Sequence, residues 1–148
     1  MPHFTLGFSV QGAVVDAAVL VSSAKQQALT DAGQPIPVPQ KIRGLIDTGA
    51  SMSAVDPSVL SALGLSPTGE AEIHTPSTAG VPVKADTYDV KIAIFSGRPG
   101  DLHFISETVE VTSTQLKVQG FEVLIGRDIL KSCILYFNAA DSLFTLSY

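Results

Sequence analysis

The sequence is poor in cysteine, in basic residues and in long apolar runs. Its one cysteine, Cys133, has no partner for an internal disulfide, and its place in the apolar stretch 133–137 favours a buried small side chain. Nine Lys and Arg residues stand against 14 Asp and Glu residues, which gives a net charge of -5. Such a chain lacks the basic stripe that neutralises phosphates, so we expect no nucleic acid among its partners.

No apolar run approaches the roughly 18 residues of a membrane-spanning helix, so the sequence predicts no membrane segment in this chain. Residues 1–5 lack a basic stretch, and the apolar residues 12–21 are interrupted by Asp16 and end without a typical signal-cleavage pattern. These absences favour a cytoplasmic protein. The soluble part of a longer, anchored protein would show the same features, and that alternative stays open.

Residue patterns that bind metals or phosphates are missing as well. His3, His74 and His103 have no metal-like spacing with one another or with acidic clusters, so we expect no metal. Segment 97–100 contains glycines, but it has a proline where a phosphate-binding loop needs N–H donors. The sequence therefore predicts a protein that works without a cofactor.

The apolar residues that are present indicate one mainly β domain over residues 1–148. Alternation with a period of two residues is typical of half-buried strands. It predicts strands at 4–10, 13–21, 41–46, 103–111 and 121–125, a long hairpin at 70–95 that turns near 77–80, and a terminal hairpin of 134–137 with 143–148.

Two short helices interrupt this β pattern. Asp56 followed by Pro57 is typical of a helix start, and Gly64 is a suitable stop. One helical turn is expected at 126–130. Residues 22–39 are rich in Ser, Ala, Gln, Gly and Pro and predict a long surface loop, so the first forty residues are read as strands plus this loop.

The strongest chemical signal is Asp47, which ends an apolar strand and is followed by Thr48 and Gly49. Glycine lets the backbone turn sharply and offers its N–H to the carboxylate, while the threonine hydroxyl can lock the loop. The triplet alone is also an ordinary turn sequence. The motif gains weight from a second segment, in which apolar residues 123–125 are followed by Gly126 and a short helix.

The chain resembles the retropepsin-like aspartic proteases, which are single-domain proteins of the retroviral type with cellular and bacterial relatives. The resemblance lies in the Asp47 loop, the long hairpin and the Gly126 segment, which follow one another in this order. That family has an apolar-apolar-Asp-Thr-Gly-Ala loop, a flap hairpin, and an apolar-apolar-Gly-Arg segment before a C-terminal helix. Residues 45–50, 71–94 and 124–130 match these three features. The resemblance implies a pepsin-like, closed β-barrel fold with a flap over the site.

The resemblance also implies a set of site residues. These are catalytic Asp47 with Thr48, Gly49 and Ala50 in its loop, Thr75, Ser77, Thr78, Ala79 and Gly80 in the substrate-binding flap, and Gly126 and Arg127 in the structural second motif. Retroviral members carry an acidic residue at the position of Ser51, which pairs with the helix arginine. Arg127 therefore needs another partner, and Asp56 and Asp128 are the candidates.

Peptide hydrolysis by carboxylates takes two of them, one to accept a proton from water and one to protonate the carbonyl oxygen. The chain offers only Asp47, because Asp31-Ala32-Gly33 lacks the apolar strand and the threonine. We therefore predict an aspartic endopeptidase that is active as a homodimer on extended peptide or protein substrates.

The resemblance implies that the terminal hairpin helps to build an intersubunit sheet, whereas the residues alone are equally consistent with an ordinary core sheet. A second function also stays open, namely a catalytically weak module of the same fold that dimerises or binds peptides.

Overall fold

The computed structural model describes residues 1–74 and 79–148, and most of the described chain is β structure. The strands are β1 (His3–Gly7), β2 (Val14–Val21), β3 (Lys41–Ile46), β4 (Ala54–Val55), β5 (Gly69–Ile73), β6 (Val83–Phe95), β7 (Phe104–Ile105), β8 (Val109–Ser113), β9 (Val123–Ile125), β10 (Ile134–Asn138) and β11 (Leu143–Ser147). The helices are α1 (Ser23–Asp31), α2 (Pro57–Ala62) and α3 (Arg127–Leu130), with a 3-10 turn at Lys117–Gln119. The predicted mainly β fold is confirmed.

The larger sheet returns on itself. Its strands follow the order β2-β3-β9-β4-β8-β6-β5, with β7 beside β6, and β2 also pairs with β6. This pairing closes a ring, and alternate residues of its strands fill the interior. Val19, Ile92, Ile94 and Val111 are fully buried there. β3 runs parallel to β9, so the carboxyl ends of these two strands lie side by side. β4 runs parallel to β8 and antiparallel to β9.

The smaller sheet has the order β1-β11-β10 and is antiparallel. The predicted terminal hairpin is confirmed as β10 with β11. The inner face of the sheet buries Phe4, Phe144 and Leu146 against the main core. On the outer face, Ile134 and Tyr136 of β10 are 59% and 63% exposed. β10 therefore presents apolar side chains to solvent beside a strand edge that no described strand covers.

The prediction of a loop over residues 22–39 is wrong in its first half, since α1 occupies Ser23–Asp31. The hydroxyl of Ser22 caps this helix by accepting the Lys25 N–H at 3.2 Å. No residue of α1 is buried, so the helix has no apolar stripe for a periodicity argument to detect. Its Ala, Lys, Gln and Leu content favours a helix through intrinsic propensity alone.

The strand predicted at 103–111 is split into β7 and β8. Ser106 interrupts it, because its hydroxyl accepts the Ile92 N–H at 2.9 Å in place of a backbone carbonyl. Its own N–H still donates to the Ile92 carbonyl at 2.9 Å. Residues 106–108 therefore leave the regular ladder before β8 begins at Val109.

Two strands are shorter than predicted. β1 stops at Gly7, because Ser9 and Gly12 exchange backbone hydrogen bonds in a tight turn where Gly12 has a φ of 118°. β9 begins only at Val123, because Gly120 ends the preceding 3-10 turn in a left-handed conformation. Cys133, predicted as buried, is half-buried, and burial raises the pKa of its thiol.

Helix α2 begins as predicted. Asp56 caps it, and the same carboxylate reaches the 3-10 turn, accepting the Leu116 and Lys117 N–H groups at 2.9 Å each. Asp56 is 2% exposed. Burial by itself would raise the pKa of this carboxyl, but the hydrogen bonds from Lys117, Ser58 and Leu116 lower it to about 2. Asp56 therefore joins two segments as a buried anion.

Candidate active site

Asp47 lies where β3 ends, and the backbone holds it there. Its N–H donates to the Ile125 carbonyl at 2.9 Å, which extends the parallel pairing of β3 with β9 by one residue. Its Oδ1 accepts the Gly49 N–H at 2.8 Å. A Cβ on Gly49 would lie 3.1 Å from that oxygen, so glycine leaves room for the contact. The half-buried carboxylate is thus oriented by its own loop.

Gly126 is the residue that lets the second motif approach this loop. A Cβ at this position would lie 2.8 Å from the Met52 carbonyl carbon and 2.9 Å from the Met52 oxygen, a distance that folded proteins do not tolerate. The next N–H, from Arg127, donates to the Ala50 carbonyl at 2.9 Å. The two predicted motifs, which are far apart in sequence, therefore meet in space, and a side chain at Gly126 would separate them.

Arg127 does not pair with either of the predicted carboxylates. Its Nη1 donates to the Thr48 carbonyl at 2.9 Å and to the Gly49 carbonyl at 3.3 Å. Asp56 is engaged in capping α2 and binding the 3-10 turn, and Asp128 binds Ser53. Both candidates are therefore wrong. Backbone carbonyls of the Asp47 loop take the place of the acidic side chain at the position of Ser51.

For the peptidase activity that the sequence predicts, we expect Arg127→Ala to lower kcat/KM by about tenfold to a hundredfold, because the guanidinium bonds steady the two residues that follow Asp47. Steady-state kinetics on one peptide substrate measure the effect. Arg98→Ala is the matched control, since Arg98 lies in the turn after β6, where its N–H donates to the Ser96 hydroxyl. Equal activity of both variants would contradict this role.

A contact that sequence reasoning missed joins Ser53 to Asp128. The Asp128 Oδ1 accepts the Ser53 hydroxyl at 2.7 Å, and its Oδ2 accepts the Ser53 N–H at 2.9 Å. The Ser53 oxygen in turn accepts the Gly126 N–H at 2.9 Å. The only signal in the sequence is that Asp128 follows the Gly126-Arg127 pair. Nothing local marks Ser53 as its partner.

A cleft of about 530 Å³ opens beside Asp47. Its remaining lining comes from the loop and strands around it: Gly49, Ala50, Ser51, Met52, Ala54, Glu72, Ile73, His74, Thr112, Thr114, Leu116 and Leu124. The floor is built by three adjacent strands, because Ala54 of β4 pairs with Thr112 of β8 on one side and Leu124 of β9 on the other. Thr48 is exposed and does not line the cleft.

The predicted flap hairpin is partly described. β5 pairs with β6 from Gly69–Thr87 to Ile73–Val83, and Glu72, Ile73 and His74 bring the end of this arm to the cleft. The predicted residues Thr75, Ser77 and Thr78 lie outside the described part of the chain. Ala79 and Gly80 are exposed in a turn with φ values of 48° and 81°, and neither lines the cleft.

Among residues 1–74 and 79–148, no group of three or more His, Cys, Asp and Glu side chains is arranged to hold a metal ion. Over the same ranges, no helix has the length and apolar character needed to cross a membrane.

Comparison with known proteins identifies the family. A family model described as aspartyl protease matches residues 32–129. No curated protein matches the chain. A foamy viral protease-reverse transcriptase, solved with an RNA/DNA hybrid, matches at 18% identity and a TM-score of 0.46. That match covers 80% of this chain and 12% of the viral one, and it is too weak to carry an argument.

A stronger structural match is the crystal structure of a retropepsin-like aspartic protease from Rickettsia conorii. It covers 99% of this chain and 90% of that one, at 16% identity and a TM-score of 0.56. At this identity the likeness shows the fold alone. Because the family model covers more than half of the sequence, the chain belongs to the aspartyl protease family, and its fold is retropepsin-like.

Proposed function

We propose that this chain is an aspartic endopeptidase that acts as a homodimer, with one Asp47 from each copy. The observation that carries the proposal is the Asp47 carboxylate, fixed by the Gly49 N–H at 2.8 Å on the wall of a cleft. Membership of the aspartyl protease family supports the same chemistry. Extended peptide is the proposed substrate, because the end of β5 and the strands of the cleft floor both line the cleft, and an extended peptide can bind beside strands.

The reaction needs two carboxylates that share one proton. One accepts a proton from water as the water oxygen bonds to the peptide carbonyl carbon, while the other protonates the carbonyl oxygen. The tetrahedral intermediate then breaks its C–N bond: the first carboxyl gives its proton to the leaving amine, and a hydroxyl of the intermediate returns a proton to the second carboxylate. Two identical carboxylates close together hold a single proton between them, so one residue type supplies both acid and base. A twofold axis brings Asp47 to its own copy.

We place the dimer surface at the exposed edge of β10. It is an edge strand of the smaller sheet, and its exposed Ile134 and Tyr136 would be buried by a second copy. Antiparallel pairing of β10 with its own copy obeys twofold symmetry and continues the sheet across the dimer. This arrangement agrees with the intersubunit sheet that the family resemblance implies for the terminal hairpin.

Specific activity is expected to fall on dilution, because dimers separate and each chain holds one catalytic carboxylate. Tyr136→Asp places a charge on the proposed surface and should raise the dissociation constant of the dimer at least about tenfold. Sedimentation and activity are measured over one dilution series. Val38→Asp is the matched control, since Val38 is 82% exposed outside both sheets. An active monomer would contradict the shared site.

Cleavage of a diverse peptide library, with and without an aspartic-protease inhibitor such as pepstatin, tests the proposal directly. We expect cleavage that the inhibitor blocks. The alternative of a peptide-binding module predicts binding without cleavage. Arg127 lacks the acidic partner of the retroviral members, but its bonds to the loop carbonyls replace that partner, so this difference does not favour the binding module.

A further inference from the structure

Asp128 is a carboxylate that the proposed reaction does not use, yet three donors engage it. These are the Ser53 hydroxyl at 2.7 Å, the Ser53 N–H at 2.9 Å and the Ile129 N–H at 3.0 Å. We propose that Asp128 is a positioning residue that holds the floor of the substrate cleft in place through Ser53. The kinetic part of this inference rests on the proposed peptidase function, while its structural part does not.

Ser53 connects three segments of the fold. It is fully buried, and its hydroxyl oxygen both donates to Asp128 and accepts the Gly126 N–H at 2.9 Å. Its carbonyl accepts the Thr112 N–H at 3.1 Å. One residue thus ties the start of α3, the end of β9 and strand β8 together. Asp128 binds Ser53 through both carboxylate oxygens, so it fixes the orientation of this connection.

The neighbours of Ser53 build the cleft. Met52 precedes it and Ala54 follows it, and both line the cleft. Ala54 is also the central residue of the floor, paired between Thr112 and Leu124. A shift of Ser53 therefore moves side chains on both sides of it and changes the spacing of the floor. The surface that receives the substrate side chain depends on the bonds to Asp128.

Other hydrogen bonds hold residues 47–49, the part of the loop that contains Asp47. Asp47 is held by the Gly49 N–H and by its own N–H to the Ile125 carbonyl, and Arg127 holds the Thr48 and Gly49 carbonyls. None of these bonds passes through Ser53 or its partner. Loss of the Asp128 carboxylate should therefore weaken substrate binding more than the chemical step. In kinetic terms, KM changes and kcat is largely kept.

Steady-state kinetics test whether Asp128 affects substrate binding more than the chemical step. The substrate is the library peptide that the wild type cleaves fastest. We expect Asp128→Ala and Ser53→Ala each to raise KM by about tenfold and to keep kcat within about threefold. The double variant should lose less than the sum of the two single losses, because both changes break the bond between the Ser53 hydroxyl and Asp128. Asp31→Ala is the control, as Asp31 is an exposed aspartate at the end of α1. An unchanged KM with a reduced folded fraction would overturn the proposal.

Amide hydrogen exchange gives a readout that needs no turnover. Asp128→Ala should speed exchange of the Ser53 and Gly126 N–H groups at least about tenfold, while the core amide of Val19 keeps its wild-type rate. Unchanged exchange at Ser53 and Gly126 would overturn the inference. If the wild type cleaves no peptide, the proposed function fails, and the exchange result alone decides whether Asp128 positions the cleft floor.

Discussion

Asp47→Asn should abolish peptide cleavage, with kcat at least about a thousandfold below that of the wild type. The amide keeps the size of the side chain and an oxygen that accepts the Gly49 N–H, now held at 2.8 Å by the carboxylate. It removes the proton exchange that activates water. The fold and the dimer should therefore survive. Initial rates over a range of pH, with circular dichroism and sedimentation on the same samples, measure both effects.

Asp31→Asn is the matched control for Asp47→Asn, because it makes the same chemical change at the near-echo Asp31-Ala32-Gly33. Asp31 ends the exposed helix α1 and accepts a hydrogen bond from Gln27. Activity should be unchanged in this variant. Full activity in a folded Asp47→Asn protein would remove the proposed mechanism, since no other described residue of the cleft has the same support from the loop.

The features that sequence predicted correctly are those with local causes. β3 covers Lys41–Ile46 as predicted, because apolar residues there run directly into the Asp47 loop. The capped start of α2 follows from Asp56 and Pro57 in the same way. Gly126 was recognised from its short apolar context. The close approach that explains this glycine, at which an added Cβ would lie 2.8 Å from the Met52 carbonyl carbon, is visible only in three dimensions.

The features that sequence missed depend on partners distant in the chain or on weak local signals. Ser53 and Asp128 are 75 residues apart, so no spacing rule connects them. Arg127 binds carbonyl groups, which every residue has, so the sequence carries no mark of its true partners. Helix α1 packs no buried residue and therefore lacks the apolar period by which helices are recognised.

Asp56→Asn is expected to lower the free energy of unfolding by about 3 kcal/mol at neutral pH. One Asp56 oxygen caps α2 through the Ser58 N–H and hydroxyl, and the other accepts the Leu116 and Lys117 N–H groups. An asparagine has one acceptor oxygen and turns an NH₂ group toward the other donors. Only one of the two segments can then stay bonded, and buried N–H groups are left without acceptors.

The pH dependence of this loss separates charge from packing. The pKa of Asp56 is lowered from 3.8 to about 2 in the folded protein, so its ionised form stabilises the fold at pH values above the unfolded pKa. That contribution, about 2 kcal/mol, is lost as the pH falls through the window from about 4 to about 2. The asparagine does not titrate, so the difference in unfolding free energy between wild type and variant should shrink by about 1 kcal/mol, or roughly a third, at pH 3.

Urea unfolding at neutral pH and near pH 3, at one fixed protein concentration, measures this difference, because a dimer makes stability depend on concentration. Asp31→Asn again serves as the control, since it removes an exposed carboxylate and should cost little at either pH. A destabilisation by Asp56→Asn that is the same at both pH values would mean that shape, and not the buried charge, links α2 to the 3-10 turn. A smaller difference in unfolding free energy near pH 3 would instead show that Asp56 acts as an anion. Its negative charge would then keep Leu116 at the wall of the cleft.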